Sequence, residues 1–201
     1  HGRIRRQRQM CIRDRFSISH VGSLYPERNP KFLWDVLEEL FDGSLFSDLQ
    51  INFIGNTSEK IKKELSKRKF KKSIKFYDYV DYNKATELMC SSQVLLMVEV
   101  NDEESSYAIP GKLFDYLNSK RPIISIGPTD SEVAQILNNT ASGKFFNYHE
   151  AHSLKSHIKK LYDRFKNGSN NSNTNQSIEK YNRKNLTRGL SEIIGLVTRK
   201  K

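Results

Sequence analysis

The segment from Gln93 to Val98, QVLLMV, is almost continuously apolar. A strand with one wet face alternates apolar and polar residues, so an unbroken apolar strand has to be covered on both sides. That is the place of a central strand in a parallel sheet with a helix layer on each face. Arg121 to Ile126 reads the same way, and segments of helical period lie before, between and after the two.

The rest of the chain fits this frame. Phe16 to Val21 reads as a strand that meets Gly22 and a turn-rich loop running to Pro30. Pro30 suits a first helical turn, and Phe32, Leu33, Val36, Leu37 and Leu40 recur at helical spacing after it. Leu49 to Ile54 is a second strand, after which Thr57 or Ser58 caps a helix to about residue 69. Ile74 to Tyr77 is a third strand, and Asp81 caps a helix carrying Ala85, Leu88 and Met89. Beyond the central strand come an acidic polar loop (101–106), a helix opened by Pro-Gly (110–118) and the strand stopped by Gly127-Pro128. A helix over 131–137, a short strand over 143–146 and a basic amphipathic helix over 150–167 complete the series. The spacing predicts a doubly wound, Rossmann-like parallel α/β sheet with right-handed crossovers, spanning residues 16–167. Residues 168–177, GSNNSNTNQS, read as a polar linker, and residues 178–201 as a C-terminal helix.

The formal charge of +11 over 201 residues raises the question of a polyanionic partner. Residues 1–15 carry six Arg and one Asp, and residues 155–201 carry twelve Lys or Arg and three acids. The stretch between them holds 16 bases and 19 acids, so the middle is slightly acidic. Nucleic acid is therefore not the expected partner, although a basic nucleic-acid-binding protein stays open as a third reading. The basic ends are instead placed to touch an anionic membrane surface.

Residues 1–15, HGRIRRQRQMCIRDR, have no strand or helix period and no apolar signal-peptide core. They resemble translated sequencing-adapter sequence and are expected to be foreign to the fold, the alternative being a natural basic arm. On that expectation the authentic chain starts near Phe16, already inside a strand. No apolar run is long enough to span a membrane. The cysteines, Cys11 and Cys90, have no metal or redox spacing, which points to a reducing, cytoplasmic setting.

In an open parallel sheet a ligand sits beyond the carboxyl ends of the strands, where the strand order reverses. The loop after the first strand carries Gly22, Ser23, Arg28 and Lys31. Glycine allows close backbone approach, and arginine grips phosphate with two parallel hydrogen bonds. The alternative is an ordinary turn with a solvated arginine. The segment Ser105 to Leu117, SSYAIPGKLFDYL, opens a helix whose free amides favour an anion. Lys112 is a cation in that first turn, unfavourable unless an anion is present. Asp115 is placed to accept from ribose hydroxyls, or else forms a surface pair with Lys112. Gly127 to Asp130 is either a further ligand loop or the lead into a helix capped by Ser131. His20 either lines the cleft or packs at its strand end, and His149, His152 and His157 are expected to face solvent.

The run Ile109-Pro-Gly-Lys-Leu-Phe-Asp-Tyr-Leu117, followed by Lys120-Arg-Pro-Ile-Ile-Ser-Ile-Gly127, resembles the nucleotide-sugar-binding half of GT-B glycosyltransferases. It is similar to the retaining group 1, or family four, type. His20-Val-Gly-Ser-Leu24 with Arg28 resembles the first strand and loop of that half, and Ile54-Gly55-Asn56, Tyr79 to Tyr82 and Ala141 to Gly143 follow in the family's order.

The resemblance implies a donor site for a nucleoside diphosphate sugar. Arg28 and Lys112 bind and neutralise the diphosphate, and Gly22, Ser23, Tyr107, Ile109, Pro110, Gly111 and Asp115 bind the rest of the donor. No metal and no cofactor beyond the co-substrate is expected. The chain departs from the family in having Asp115 for the usual Glu and Tyr107 for the Glu eight residues earlier. Glu103 and Glu104 are in the same loop, out of register. A second Rossmann-like domain, the acceptor half, is expected upstream. The last helix would pack toward it, leaving Ile178, Tyr181, Leu186, Leu190 and Ile193 partly uncovered. The resulting expectation is the donor-binding half of a bacterial glycosyltransferase of polysaccharide, lipid or similar acceptors, which alone binds nucleotide without transfer. A non-catalytic nucleotide-binding or regulatory module is the alternative.

Overall fold

A computed structural model describes residues 15–102, 104–169, 176–181 and 183–198. The basic arm up to residue 14, Glu103 and the linker between residues 170 and 175 lie outside the described residues.

Six parallel strands form one sheet in the order β3-β2-β1-β4-β5-β6. They are β1 (Phe16–Val21), β2 (Leu49–Ile54), β3 (Ile74–Tyr77), β4 (Val94–Val98), β5 (Ile123–Gly127) and β6 (Gly143–Asn147). The helices between them are α1 (Lys31–Leu40), α2 (Glu59–Leu65), α3 (Tyr82–Ser91), α4 (Lys112–Asn118) and α5 (Glu132–Thr140). Two more follow β6, α6 (Ala151–Lys166) and α7 (Arg183–Thr198). The strand order reverses between β1 and β4, which fixes the switch point of a doubly wound sheet.

The apolar run of β4 is divided between two cores. Val94, Leu96 and Val98 belong to the cluster made with α1, α2 and α6, whereas Leu95 and Met97 belong to the cluster made with α3, α4 and α5. Period-two alternation on a strand covered on both sides thus leaves no polar position within β4. β1 departs from this. Its Ser17 and Ser19 are buried; the Ser17 hydroxyl accepts from the Gln93 amide, and the Ser19 hydroxyl accepts from the Asn52 and Ser92 side chains.

The sequence locates the element starts well. Ser58, Asp81 and Ser131 each cap a helix through the side chain. α2 ends at Leu65, short of residue 69, and a 3-10 turn over Lys69–Ser73 then carries Phe70 into the core. α4 begins at Lys112 and is only seven residues long.

At the C-terminal end, Ile178 and Tyr181 are half-buried. They pack against the second core, with Tyr181 6.4 Å from Phe114 between ring centroids. Leu186, Leu190 and Ile193 on α7 are exposed as expected. No helix among the described residues is long and apolar enough to cross a membrane.

Candidate functional site

The site is built on the split between β1 and β4. The two strands pair only at Ile18–Val94 and Ser19–Leu95 before diverging. Side chains bridge the gap from there on. The His20 Nδ1–H donates to the Leu96 carbonyl at 3.0 Å. The Tyr116 hydroxyl donates to the same carbonyl at 3.2 Å and accepts from the Val21 amide at 2.8 Å. Burial raises the Tyr116 pKa, so the phenol stays neutral. It lowers that of His20 well below the usual value, and Lys112 adds to that effect. His20 is therefore a packed, neutral strand-end residue with its Nε2 unpartnered.

Beyond the split, the chain is pinned to the neighbouring loop. The Gly22 amide bonds the Ile54 carbonyl at 2.8 Å, and the Leu24 amide bonds the Asn56 carbonyl at 2.9 Å. Gly22 has φ +104, a conformation that excludes other residues at low cost, and its open side faces the Lys112 side chain at 4.0 Å. Arg28 ends the short 3-10 turn Pro26–Arg28 and is half-buried, as is Ser23.

Lys112 reaches this point from α4. It is half-buried, and its Nζ donates to the Val21 carbonyl at 3.4 Å. Burial, with the positive charge of Arg28 behind it, pushes its pKa down to about 7, against a smaller opposing pull from Glu99. Among the described residues neither Arg28 nor Lys112 has an ion pair, and the surface pair with Asp115 does not form. Two cations thus repel each other at a strand switch point, an arrangement that an incoming dianion stabilises. The helix start contributes less than its sequence promised. The amides of Leu113 and Phe114 are already taken by the carbonyls of Pro110 and Gly111, and a seven-residue helix has a weak macrodipole.

Glu99 is the group that sequence reasoning passed over. It follows β4 directly and is 4% exposed. Its Oε2 accepts from the Ser131 hydroxyl at 2.9 Å, while Oε1 has no partner. Its own carbonyl accepts from Tyr148 at 2.8 Å. Burial raises its pKa to about 7, with Ser131, Lys112 and Arg28 pulling the other way. Gly127 makes room for it, since a Cβ there would come within 2.6 Å of Oε2. The residues after Gly127 thus serve mainly to place Ser131, which caps α5 by accepting from the Val133 amide at 3.1 Å. The only mark it leaves in the sequence is its place directly beyond a buried strand, at the carboxyl end where a ligand is expected.

The other expected residues are more dispersed. Asp115 is half-buried and accepts from the Tyr82 hydroxyl at 3.1 Å. Tyr107 is 79% and Ile109 43% exposed, Gly111 is exposed and Pro110 half-buried. Glu104 is exposed in the 3-10 turn Glu104–Tyr107. His149 and His152 face solvent, but His157 packs on Phe146 at 5.5 Å. Burial, helped by Lys144, Arg164 and Lys160, lowers the His157 pKa to about 4.

No protein-family model and no curated protein sequence matches the chain. Solved structures do match it. Anabaena HepE in complex with UDP-glucose superposes with a TM-score of 0.70 at 11% identity, over 95% of this chain and 51% of that one. Sucrose-phosphate synthase from Thermosynechococcus elongatus gives 0.70 at 11% identity, over 100% of this chain and 50% of that one. WaaG, a glycosyltransferase involved in lipopolysaccharide biosynthesis, gives 0.62 at 15% identity, over 89% and 49%. The chain spans about half the length of these structures. Its fold is that of one Rossmann-like half of the GT-B glycosyltransferases.

Proposed function

We propose that the chain is the donor-binding half of a glycosyltransferase, and that it holds a nucleoside diphosphate sugar at the β1–β4 switch point. The observation that carries this reading is the convergence of Arg28 and Lys112, two half-buried cations with no ion pair among the described residues. Solved structures of the same fold hold UDP and UDP-glucose, which supports the ligand class.

In this reading Arg28 takes phosphate oxygens in a forked pair of hydrogen bonds, and Lys112 adds a point charge on the same diphosphate. As the bond from sugar to diphosphate breaks, negative charge grows on the leaving diphosphate. Fixed cations at that point lower the barrier because they are already oriented and poorly hydrated. The two side chains do this neutralisation in place of a metal ion. Gly22 and Ser23 give close backbone approach, and the 107–111 loop with Asp115 borders the nucleoside. The acceptor, a polysaccharide, lipid or similar sugar-bearing molecule, would be bound by a second domain facing α7. The protein works in the cytoplasm, where nucleotide sugars are made.

Titration calorimetry with UDP, GDP, ADP and dTDP, against the corresponding nucleosides, tests the reading. It predicts that at least one diphosphate binds and that its nucleoside does not. Absence of binding by all four diphosphates contradicts it.

A further inference from the structure

The slightly acidic average of the middle of the chain conceals a basic block. Nine of its 16 Lys and Arg residues fall between residues 60 and 75, against a single acid, Glu64. The fold gathers them on one margin. Lys60 and Lys63 are on α2, Lys67 follows it, Lys69, Lys71 and Lys72 are in the 3-10 turn, and Lys75 is on β3. β3 is the edge strand of the sheet. All seven of these lysines are exposed, and none has an ion pair among the described residues. The other two bases of the block are spoken for. Lys62 pairs with Glu59, and Arg68 with Asp35, Glu38 and Glu64.

Helix α6, one part of the basic C-terminal end that the sequence alone favours as the polyanion-facing surface, is partly neutralised by comparison. Lys155 pairs with Glu39, Lys159 with Asp163 and Lys166 with Asp48. Seven lysines without an ion pair among the described residues therefore lie together on the α2–β3 margin, against Lys160 on α6, Lys180 just before α7 and Lys184 on α7 at the C-terminal end.

We infer that this margin is a docking surface for an anionic lipid bilayer. Charge complementarity supplies the attraction, on the order of 1 kcal/mol for each lysine near such a surface. The residue types favour a diffuse lipid surface over nucleic acid. Lysine is a compact hydrated charge on a flexible stem, whereas the residue that grips individual phosphates, Arg68, is occupied by three carboxylates. Of the two aromatics on β3, Tyr77 is half-buried, and the exposed Phe76 offers no stacking platform for bases. It lies nearly parallel to Phe53 at 5.3 Å, with the Lys62 ammonium 5.8 Å from its ring. The inference does not depend on the donor-site reading.

Flotation with phosphatidylcholine vesicles, with and without phosphatidylserine, tests it on the full chain. The expected result is flotation only with the anionic vesicles. Lys67→Gln, Lys71→Gln and Lys72→Gln together should weaken it roughly tenfold or more, given the attraction per lysine. The triple Lys60→Gln, Lys63→Gln and Lys75→Gln should do the same. Neutralising Lys155, Lys159 and Lys160 on α6, the same loss of charge, should change binding by less than about twofold, because two of those three are already paired. The N-terminal arm is common to all these proteins, so its contribution cancels. Equal loss from the α6 triple, no difference between the two vesicle types, or tighter binding to a duplex oligonucleotide at the same ionic strength would each overturn the inference.

Discussion

The Tyr116 hydroxyl accepts the Val21 amide at 2.8 Å, and so closes by a side chain the gap that opens when β1 and β4 part. It also donates to the Leu96 carbonyl at 3.2 Å. One phenol from the motif helix α4 thus replaces the missing ladder bond at the switch point, and sets the height at which Lys112, one turn earlier, meets β1. Tyr116→Phe leaves a peptide amide without its partner and should cost about 1–3 kcal/mol. Urea denaturation checks this, and an unchanged midpoint would mean that water or a shifted backbone makes good the loss.

Lys112 should be a residue kept at the expense of stability. Its charge is depressed by burial and by Arg28, so the folded chain holds it at a cost. Lys112→Met keeps the stem and removes the charge. It is expected to raise stability by about 1 kcal/mol below pH 7, in line with other substitutions that relieve a strained site. Thermal melting at pH 6 measures it, and a lower melting temperature for the variant contradicts the assignment of Lys112 as an uncompensated cation.

Donor affinity should fall as pH rises through 7. Lys112, with its pKa lowered to about 7, loses its positive charge over this range. Glu99, with its pKa raised to about 7, gains a negative one. Both changes disfavour an anion, so the site passes from two cations beside a neutral acid to Arg28 beside a carboxylate. A nucleoside diphosphate sugar has no titrating phosphate in this range, so its affinity at pH 6 and pH 8 reports the protein alone. Glu99→Gln should bind it more tightly than the parent at pH 8, by several-fold, and about equally at pH 6. Calorimetry at the two pH values checks the sign. An affinity that rises with pH would place the titrating groups elsewhere.

Acid stability follows the histidines. The folded-state pKa values of His20 and His157 lie below the unfolded value, near 6.5. The unfolded chain then binds more protons as pH falls below that value, so stability drops from about pH 6.5 toward 4. Replacing His157 by Phe, on the ring contact with Phe146, should flatten part of this drop. Denaturant midpoints from pH 4 to 7 for both proteins measure it, and curves of equal slope would contradict it.

The strands were legible because two-sided burial allows almost no polar residue within Val94–Val98 or Ile123–Gly127. The helix starts were legible because Ser58, Asp81 and Ser131 bond the backbone locally. Arg28 and Lys112 could be picked out because the sheet topology places their loops together. Glu99 could not, since in sequence it reads as the first acid of a polar loop. Only the space left by Gly127 and the bond from Ser131 mark it as buried. The partner of Asp115 was equally hidden, because spacing along α4 suggests Lys112 while the fold delivers Tyr82 from α3. The lysine margin is hidden in the net charge of residues 16–154, where 19 acids outweigh 16 bases, because the fold gathers nine of those bases on one edge.

The central claim is that Arg28 and Lys112 act together on a diphosphate. Calorimetric titration of a nucleoside diphosphate sugar at pH 6.5 into the parent chain, Arg28→Ala, Lys112→Met and the double variant tests it most directly. Each single variant is expected to weaken binding by roughly tenfold or more, as loss of a charge-assisted hydrogen bond does, and the double variant to lose less than the two combined. Unchanged affinity in both single variants, with the parent binding normally, would place the diphosphate elsewhere and contradict the account.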